Sequence, residues 1–409
     1  MTDLRAPKHL VLNGFPLQDS NRGRGIGRYT DKMYFEILQR WERQDPQLTS
    51  AFSQISLVGS SIPNLREVFD NQFQRVNYVS VSKKVEKLNI LKYFYYKWTV
   101  APALNEFLKK SATPTIYFLP RHQILTSPYA DYTVTMVHDF APLKTHRWGR
   151  VPIMDPLLSI EYDLYLKELA KSDLIVTNSV DTSNTVSQYL GRENDTTAIL
   201  LGNIFDNTDP AVYLKKPSPL NEPYFFYYSG FDFNKNIPGV IKAFALFIRR
   251  HEDTNHTKLV FSGGTKEARS IIALAKNEGI LENIQLMDHL TDEELALYVV
   301  HSLGLFRLSF IEGCGLPEIE VMSLGVPVIS ADIGAVREMV GQFALLADPK
   351  KPETAEPLLY QAAKKRVPAE QLQKGMAHAK EFTWAKTAAT TVDSIIDFVQ
   401  THKPKREQV

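Results

Sequence analysis

The chain has 409 residues, 44% of them hydrophobic, and its 47 Lys and Arg against 46 Asp and Glu leave a formal charge of +1. That length exceeds one small core and points to two domains, while the charge balance excludes bulk nucleic-acid binding, which needs a strongly basic face. The single cysteine, Cys314, excludes an internal disulfide and suits a reducing compartment; with no apolar signal core behind Met1 and no uninterrupted apolar run of about 18 residues, the expected place is the cytoplasm.

In chain order, short apolar runs at 9–13, 115–119, 132–137 and 174–177 read as buried strands separated by amphipathic helical stretches. The pattern restarts at 224–228, 258–262, 304–308 and 327–330. Strands apolar on both faces and alternating with helices indicate parallel, doubly wound sheets. Between the two series, Pro217, Pro219 and Pro223 make a stiff linker rather than an element. The expected fold class is therefore α/β, with one Rossmann-like domain over 1–215 and a second over 216–385. Residues 386–409 form a last helix and tail; Ala388, Val392, Ile395, Ile396 and Val399 share one helical face. Open parallel sheets bind ligands beyond the carboxyl ends of their strands. Two such sheets facing each other make a cleft lined by loops and helix N-termini, suited to an anionic diphosphate.

Within the first domain, residues 83–98 mix lysines with aromatics. Leu88, Leu91, Tyr95 and Trp98 recur at near-helical spacing, with Lys84, Lys87 and Lys92 elsewhere on the wheel. Two readings stay open: a helix packed on the sheet with solvated lysines, or peripheral contact with the inner face of a membrane.

The most informative stretch runs from Glu312 to Ile329, following one expected strand and opening a helix. Gly313 and Gly315 let backbone amides approach a ligand, and Pro317 suits a first helical turn. Glu312 and Glu320 are strong acceptors for sugar and ribose hydroxyls. Here the chain resembles the large retaining glycosyltransferase family 4 (group 1 glycosyltransferases), whose hallmark is Glu-x7-Glu within E-G-x-G-L-P-x-x-E-x-M-x-x-G-x-P-V-I. The resemblance implies the GT-B fold, two facing Rossmann-like domains, the first binding the acceptor and the second the nucleotide-sugar. It implies that Glu312 bonds donor-sugar hydroxyls and acts in catalysis, that Glu320 bonds the ribose, and that Gly313, Cys314, Gly315 and Leu316 meet sugar and phosphate. Glu318 departs from the pattern, which has an apolar residue there; it reads as an extra carboxylate facing solvent.

Other segments extend the resemblance. Residues 229–236, S-G-F-D-F-N-K-N, match a segment whose lysine binds the donor diphosphate, which assigns Gly230, Lys235 and Asn236 to donor binding. Many members carry an arginine near this lysine, and Gly230, Phe231 and Asn234 supply none. Arg307, an arginine inside an apolar strand, needs a partner: the donor phosphate in place of the missing arginine, or an acid. Gly264 falls where a strand closes near the nucleotide, Glu338 where the fold is organised, and Phe382 to Trp384 where the last helix returns to the first domain. The glycine-rich turn from Gly23 to Tyr29 can present amides to an anion. It resembles the family's R-G-I-G-R-Y loop over the donor phosphates, which implicates Gly25, Gly27 and Arg28. Residues 137–143 resemble its H-D-x-x-P-L segment, whose histidine, here His138, approaches the donor sugar. Arg121 and His122 nearby face either the acceptor or only their loop.

The resemblance implies a retaining hexosyltransferase drawing on GDP-mannose or a UDP-sugar and acting on a glycan, lipid-linked or protein-linked acceptor. No Asp-x-Asp pair stands at a strand end to hold a metal, so neither metal nor cofactor is expected beyond the nucleotide-sugar co-substrate. The alternative is a catalytically silent glycosyltransferase-like subunit. A dinucleotide dehydrogenase is disfavoured, because the loop after the first strand lacks G-x-G-x-x-G.

Overall fold

Continuous apolar runs become the central strands of two parallel sheets. The computed structural model describes residues 6–19, 22–23, 25–62, 64–84, 95–122, 125–140, 156–192, 195–263 and 268–405. Two units emerge, Met1–Leu201 with Trp384–Val409, and Gly202–Thr383.

The first unit holds β1 (Lys8–Asn13), β2 (Phe52–Ile62), β3 (Asn77–Lys84), β4 (Thr115–Leu119), β5 (Tyr132–Val137), β6 (Leu174–Thr177) and β7 (Thr196–Ala198). They pair in the order β3-β2-β1-β4-β5-β6-β7, all parallel. The second holds β8 (Tyr224–Tyr228), β9 (Lys258–Ser262), β10 (Ile284–Met287), β11 (Gly304–Phe306), β12 (Val328–Ala331) and β13 (Leu345–Ala347). Its order, β10-β9-β8-β11-β12-β13, repeats the same winding. In each sheet the winding reverses once, between β1 and β4 and between β8 and β11. Loops leaving neighbouring strands at a reversal diverge to opposite faces of the sheet, and the gap beyond the strand ends receives ligands.

Helix α1 (Gly25–Glu42) buries Tyr29, Met33, Tyr34, Ile37, Leu38 and Trp41, a stripe at helical spacing. The C-terminal helix, Trp384–Thr401, buries Ala388, Val392, Ile395 and Val399 and contacts α1 within the first unit. Tyr132 anchors its end by donating a 2.7 Å hydrogen bond to the His402 carbonyl. Residues 202–215 belong with the second unit. There Asn203 donates to the Ala379 and Phe382 carbonyls at 3.1 and 3.0 Å, and His301 bonds the Tyr213 carbonyl at 3.2 Å. Of the lysine- and aromatic-rich segment, residues 85–94 lie outside the described ones; at its end Tyr96 is buried and Trp98 is 69% exposed. Among the described residues no helix is long and apolar enough to cross a membrane.

Candidate active site

The second sheet's reversal brings two crest loops side by side. One follows β8 and carries Ser229 to Asn236; the other follows β11 and carries Arg307 to Gly315. They are tied directly: the Phe310 amide donates to the Asn234 carbonyl at 2.7 Å, and the Asn234 side chain donates to the Ile311 carbonyl at 3.1 Å. Residues about eighty positions apart thereby form one surface at the switch point.

On it, Lys235 Nζ donates to both oxygens of Glu312, at 3.0 and 2.9 Å. Arg307 Nη2 donates to Glu312 Oε1, and Arg307 Nη1 donates to both oxygens of Glu318, at 2.7 and 2.6 Å. Glu318 does not face solvent. It is fully buried, and its Oε1 also accepts from the Ser330 hydroxyl at 2.7 Å. A buried carboxylate persists in ionised form only with such partners, and the first turn of α3 (Leu316–Ser323) adds a favourable dipole. Arg307, 1% exposed, is paired with acids, so its fork is not open to phosphate. Burial works to raise the Glu312 carboxyl, but the Arg307 and Lys235 charges outweigh it and hold it well below the usual range.

Glu320 lies on α3 and is buried; its Oε2 accepts from the Tyr228 hydroxyl at 2.7 Å. Gly315 caps α3 at φ 88°, a left-handed conformation that favours glycine. A Cβ there would also meet Glu318 Oε2 at 3.3 Å and Val336 Cγ2 at 3.4 Å. Gly313 and Leu316 are partly exposed. Cys314 is buried, and burial pushes its thiol up, which keeps it unreactive. Gly230 is exposed, and its carbonyl accepts from Tyr227 at 3.1 Å. Asn236, left-handed at φ 52°, caps α2 (Ile237–Arg250). Its side chain accepts from the Gly239 amide at 3.2 Å and donates to the Leu308 and Pro349 carbonyls at 2.9 and 2.8 Å, which is structural work. Gly264 lies outside the described residues. Glu338 is half-buried.

In the first unit, the glycine turn follows β1 and opens α1. Gly25 takes φ 46°, with open space where a Cβ would stand; Gly27 is buried in the helix. Arg28 Nε donates to the Gly23 carbonyl at 3.1 Å. His138 follows β5, is buried, and bonds the Pro120 carbonyl through Nε2 at 2.8 Å. That contact makes Nε2 the protonated nitrogen and leaves the Nδ1 lone pair of the neutral ring as acceptor. Burial pushes His138 down to about 4, the Pro120 hydrogen bond opposing and the Arg121 charge assisting. Its ring packs edge to face with Tyr29 at 4.7 Å, and Tyr29 meets Trp384 at 6.2 Å. His122 is buried and stacks on Phe140 at 5.9 Å. Among the described residues no group of three or more His, Cys, Asp or Glu side chains is placed to hold a metal ion.

The model of the family described as glycosyl transferases group 1 matches residues 214–378, which include both crest loops. O-antigen chain mannosyltransferase B of Escherichia coli is 23% identical over 286 residues, 69% of this chain and 72% of that protein. The protein is a glycosyltransferase whose residues 214–378 match the group 1 family. Serotype-specific mannosyltransferase WbdA of Escherichia coli is 25% identical over 281 residues, 66% of this chain but 34% of that longer protein. Among solved structures, Anabaena Alr3699/HepE in complex with UDP-glucose has a TM-score of 0.68 at 13% identity, covering 95% of this chain and 99% of the other. That likeness shows the fold, two Rossmann-like domains of the GT-B type.

As a glycosyltransferase the protein transfers a sugar from a nucleotide-sugar to an acceptor. Sequence reasoning misses two of the residues around its Glu-x7-Glu pair and misreads a third. Tyr228 read only as a strand residue, although its position at a strand end was a usable signal. Ser330 carried no signal. Glu318 was noticed as a departure, and an acid in an apolar helix position beside an arginine in an apolar strand is itself a sign of a buried pair.

Proposed function

We propose that this glycosyltransferase moves a hexose, with retention of anomeric configuration, to a glycan or lipid-linked acceptor, and that GDP-mannose is its donor ahead of UDP-hexoses. The carrying observation is the convergence of Glu312 and Lys235, within 3.0 Å, at the switch point of the second sheet, with Glu320 on the helix that follows. In this reading Glu312 accepts hydrogen bonds from donor-sugar hydroxyls and Glu320 from the ribose. Lys235 and the amides of Gly313, Cys314, Gly315 and Leu316 neutralise the diphosphate, with Gly230 shaping the approach and Asn236 holding the turn. From the first unit, His138 is assigned to the sugar, and Gly25, Gly27 and Arg28 to the phosphates. Two relatives are mannosyltransferases by name, which supports the choice of sugar.

For the chemistry we propose attack on the face that the leaving group vacates. The bond from the anomeric carbon to the phosphate oxygen breaks, the bond to the acceptor hydroxyl oxygen forms, and the acceptor's proton passes to the departing phosphate. The protein positions the reactants and stabilises developing charge. Lys235 and Arg28 supply positive charge at the diphosphate, and we propose that no divalent cation is required. A lipid-linked acceptor would draw the protein to a membrane surface, where exposed Trp98 offers an interfacial side chain.

A thermal-shift screen of nucleotide-sugars identifies the donor, since a ligand that binds only the folded state raises Tm. NMR of the glycoside then reads the anomer. Retained configuration with activity surviving excess EDTA is expected. An inverted product overturns the mechanism, and loss of activity in EDTA restored by Mg²⁺ or Mn²⁺ overturns metal independence.

A further inference from the structure

We propose that Arg307 is a positioning residue for Glu312, itself held by Glu318, and that it keeps Glu312 in place when Lys235 leaves for the donor diphosphate. The inference rests on the assignment of Glu312 and Lys235 to the donor site. In this structure Glu312 has two cationic partners of different kinds. Lys235 lies in the turn after β8 with its side chain 15% exposed, and its flexible stem lets the ammonium move. Arg307 is 1% exposed, with Nη1 locked on the fully buried Glu318. Glu318 is in turn fixed by the Ser330 hydroxyl at 2.7 Å and lies against Gly315, where an added Cβ would stand 3.3 Å from its Oε2.

The pairing divides the work between the two Glu312 oxygens. Arg307 Nη2 takes Oε1 alone, whereas Lys235 takes both. When the ammonium transfers to the diphosphate, Oε2 becomes open to a sugar hydroxyl while Oε1 stays anchored. Without Arg307, that transfer would leave a nearly buried carboxylate with no cation, which costs several kcal/mol or forces protonation. Glu318 offsets the second half of the guanidinium charge, so that Arg307 orients Glu312 without competing for the whole carboxylate. The arginine in an apolar run and the acid that departs from the family pattern thus touch each other and complete one device.

The test removes both charges of the device at once, with Arg307→Met combined with Glu318→Leu, because a buried ion pair replaced by apolar residues usually preserves folding. GDP and GDP-mannose are the probes, with UDP and UDP-glucose in their place if GDP-mannose is not turned over. GDP affinity should stay within about twofold. Turnover of the sugar nucleotide should fall about ten- to a hundredfold, as for a misplaced reacting group. The acid limb of the pH–rate profile should move to higher pH, and Arg307→Lys alone should retain part of the turnover. A folded double variant with wild-type turnover and an unmoved acid limb overturns the proposal. Glu312→Gln is measured alongside. If it too behaves as wild type, the site assignment itself fails; if it is crippled while the double variant is not, only the positioning role falls. Should the double variant not fold, a crystal structure of the wild-type enzyme with GDP decides. Lys235 must have left Glu312 for the diphosphate with Arg307 still on Glu312, and any other arrangement overturns the proposal.

Discussion

Tyr228 and Glu320, 92 residues apart, are joined by a 2.7 Å hydrogen bond from the phenol to Oε2 of the carboxylate. The same hydroxyl lies 3.1 Å from the Pro317 carbonyl, but its one proton goes to the nearer, charged acceptor. Burial, and then the Glu320 charge, push the phenol well above its ordinary value, so it remains a donor throughout the working pH range. The last residue of β8 thereby orients the carboxylate proposed for the ribose. Tyr228→Phe should weaken GDP or UDP binding about tenfold, the worth of one hydrogen bond to a charged group. Titration calorimetry reads this, and an unchanged affinity would show that Glu320 is oriented without the phenol.

Substitutions of the three charged groups should separate by kinetic signature. Glu320→Ala and Lys235→Ala should raise KM for the nucleotide-sugar. Glu312→Gln should mainly lower kcat, by about 10² to 10³, as for loss of one preorganised polar contact. Steady-state kinetics with all three near wild type would remove the site from the second unit's switch point.

The Arg307–Glu318 pair carries a stability signature independent of activity. Arg307→Met strands the fully buried Glu318 carboxylate without its cation and should cost about 3–5 kcal/mol in urea unfolding. The Arg307→Met, Glu318→Leu double variant should recover most of that loss. Equal stabilities for single and double variants would mean that the two charges are not energetically coupled.

Burial pushes His9 and His138 down to about 4 and His122 to about 3, from 6.5 in an open chain. Between those values the unfolded chain binds protons that the folded protein refuses. Stability is therefore fully present above pH 6.5 and declines as pH falls toward 4, by on the order of 1 kcal/mol per histidine for each pH unit. Urea unfolding at pH 7.5, 6 and 5 should show this decline, and a protein more stable at pH 5 would contradict it. His138→Ala should flatten part of the slope. Its turnover per folded molecule should fall if the imidazole serves the sugar as well as the fold.

The central strands were legible in the sequence because burial on both faces writes itself as a local apolar run. β4, β5, β6, β8 and β9 begin and end where their runs do. The outer strands β3, β7, β10 and β13 were not legible, and neither was β2. A strand at a sheet edge is half solvated, and polar residues such as Asn77, Ser80 and Ser82 in β3 break the run. The Glu-x7-Glu segment was legible for the same local reason, since its glycines, proline and helix start lie within one short stretch. What only tertiary structure decided is which groups meet across elements. Asn236 looked like a ligand residue by position, and its amide is engaged by Leu308 and Pro349. Glu318 looked solvated by type, and it is buried under Arg307 and Ser330. An isolated carboxylate in a sequence carries no mark of its surroundings. Whether it is hydrated, paired or catalytic depends on charges brought to it by strands that are neighbours in the sheet but not along the chain.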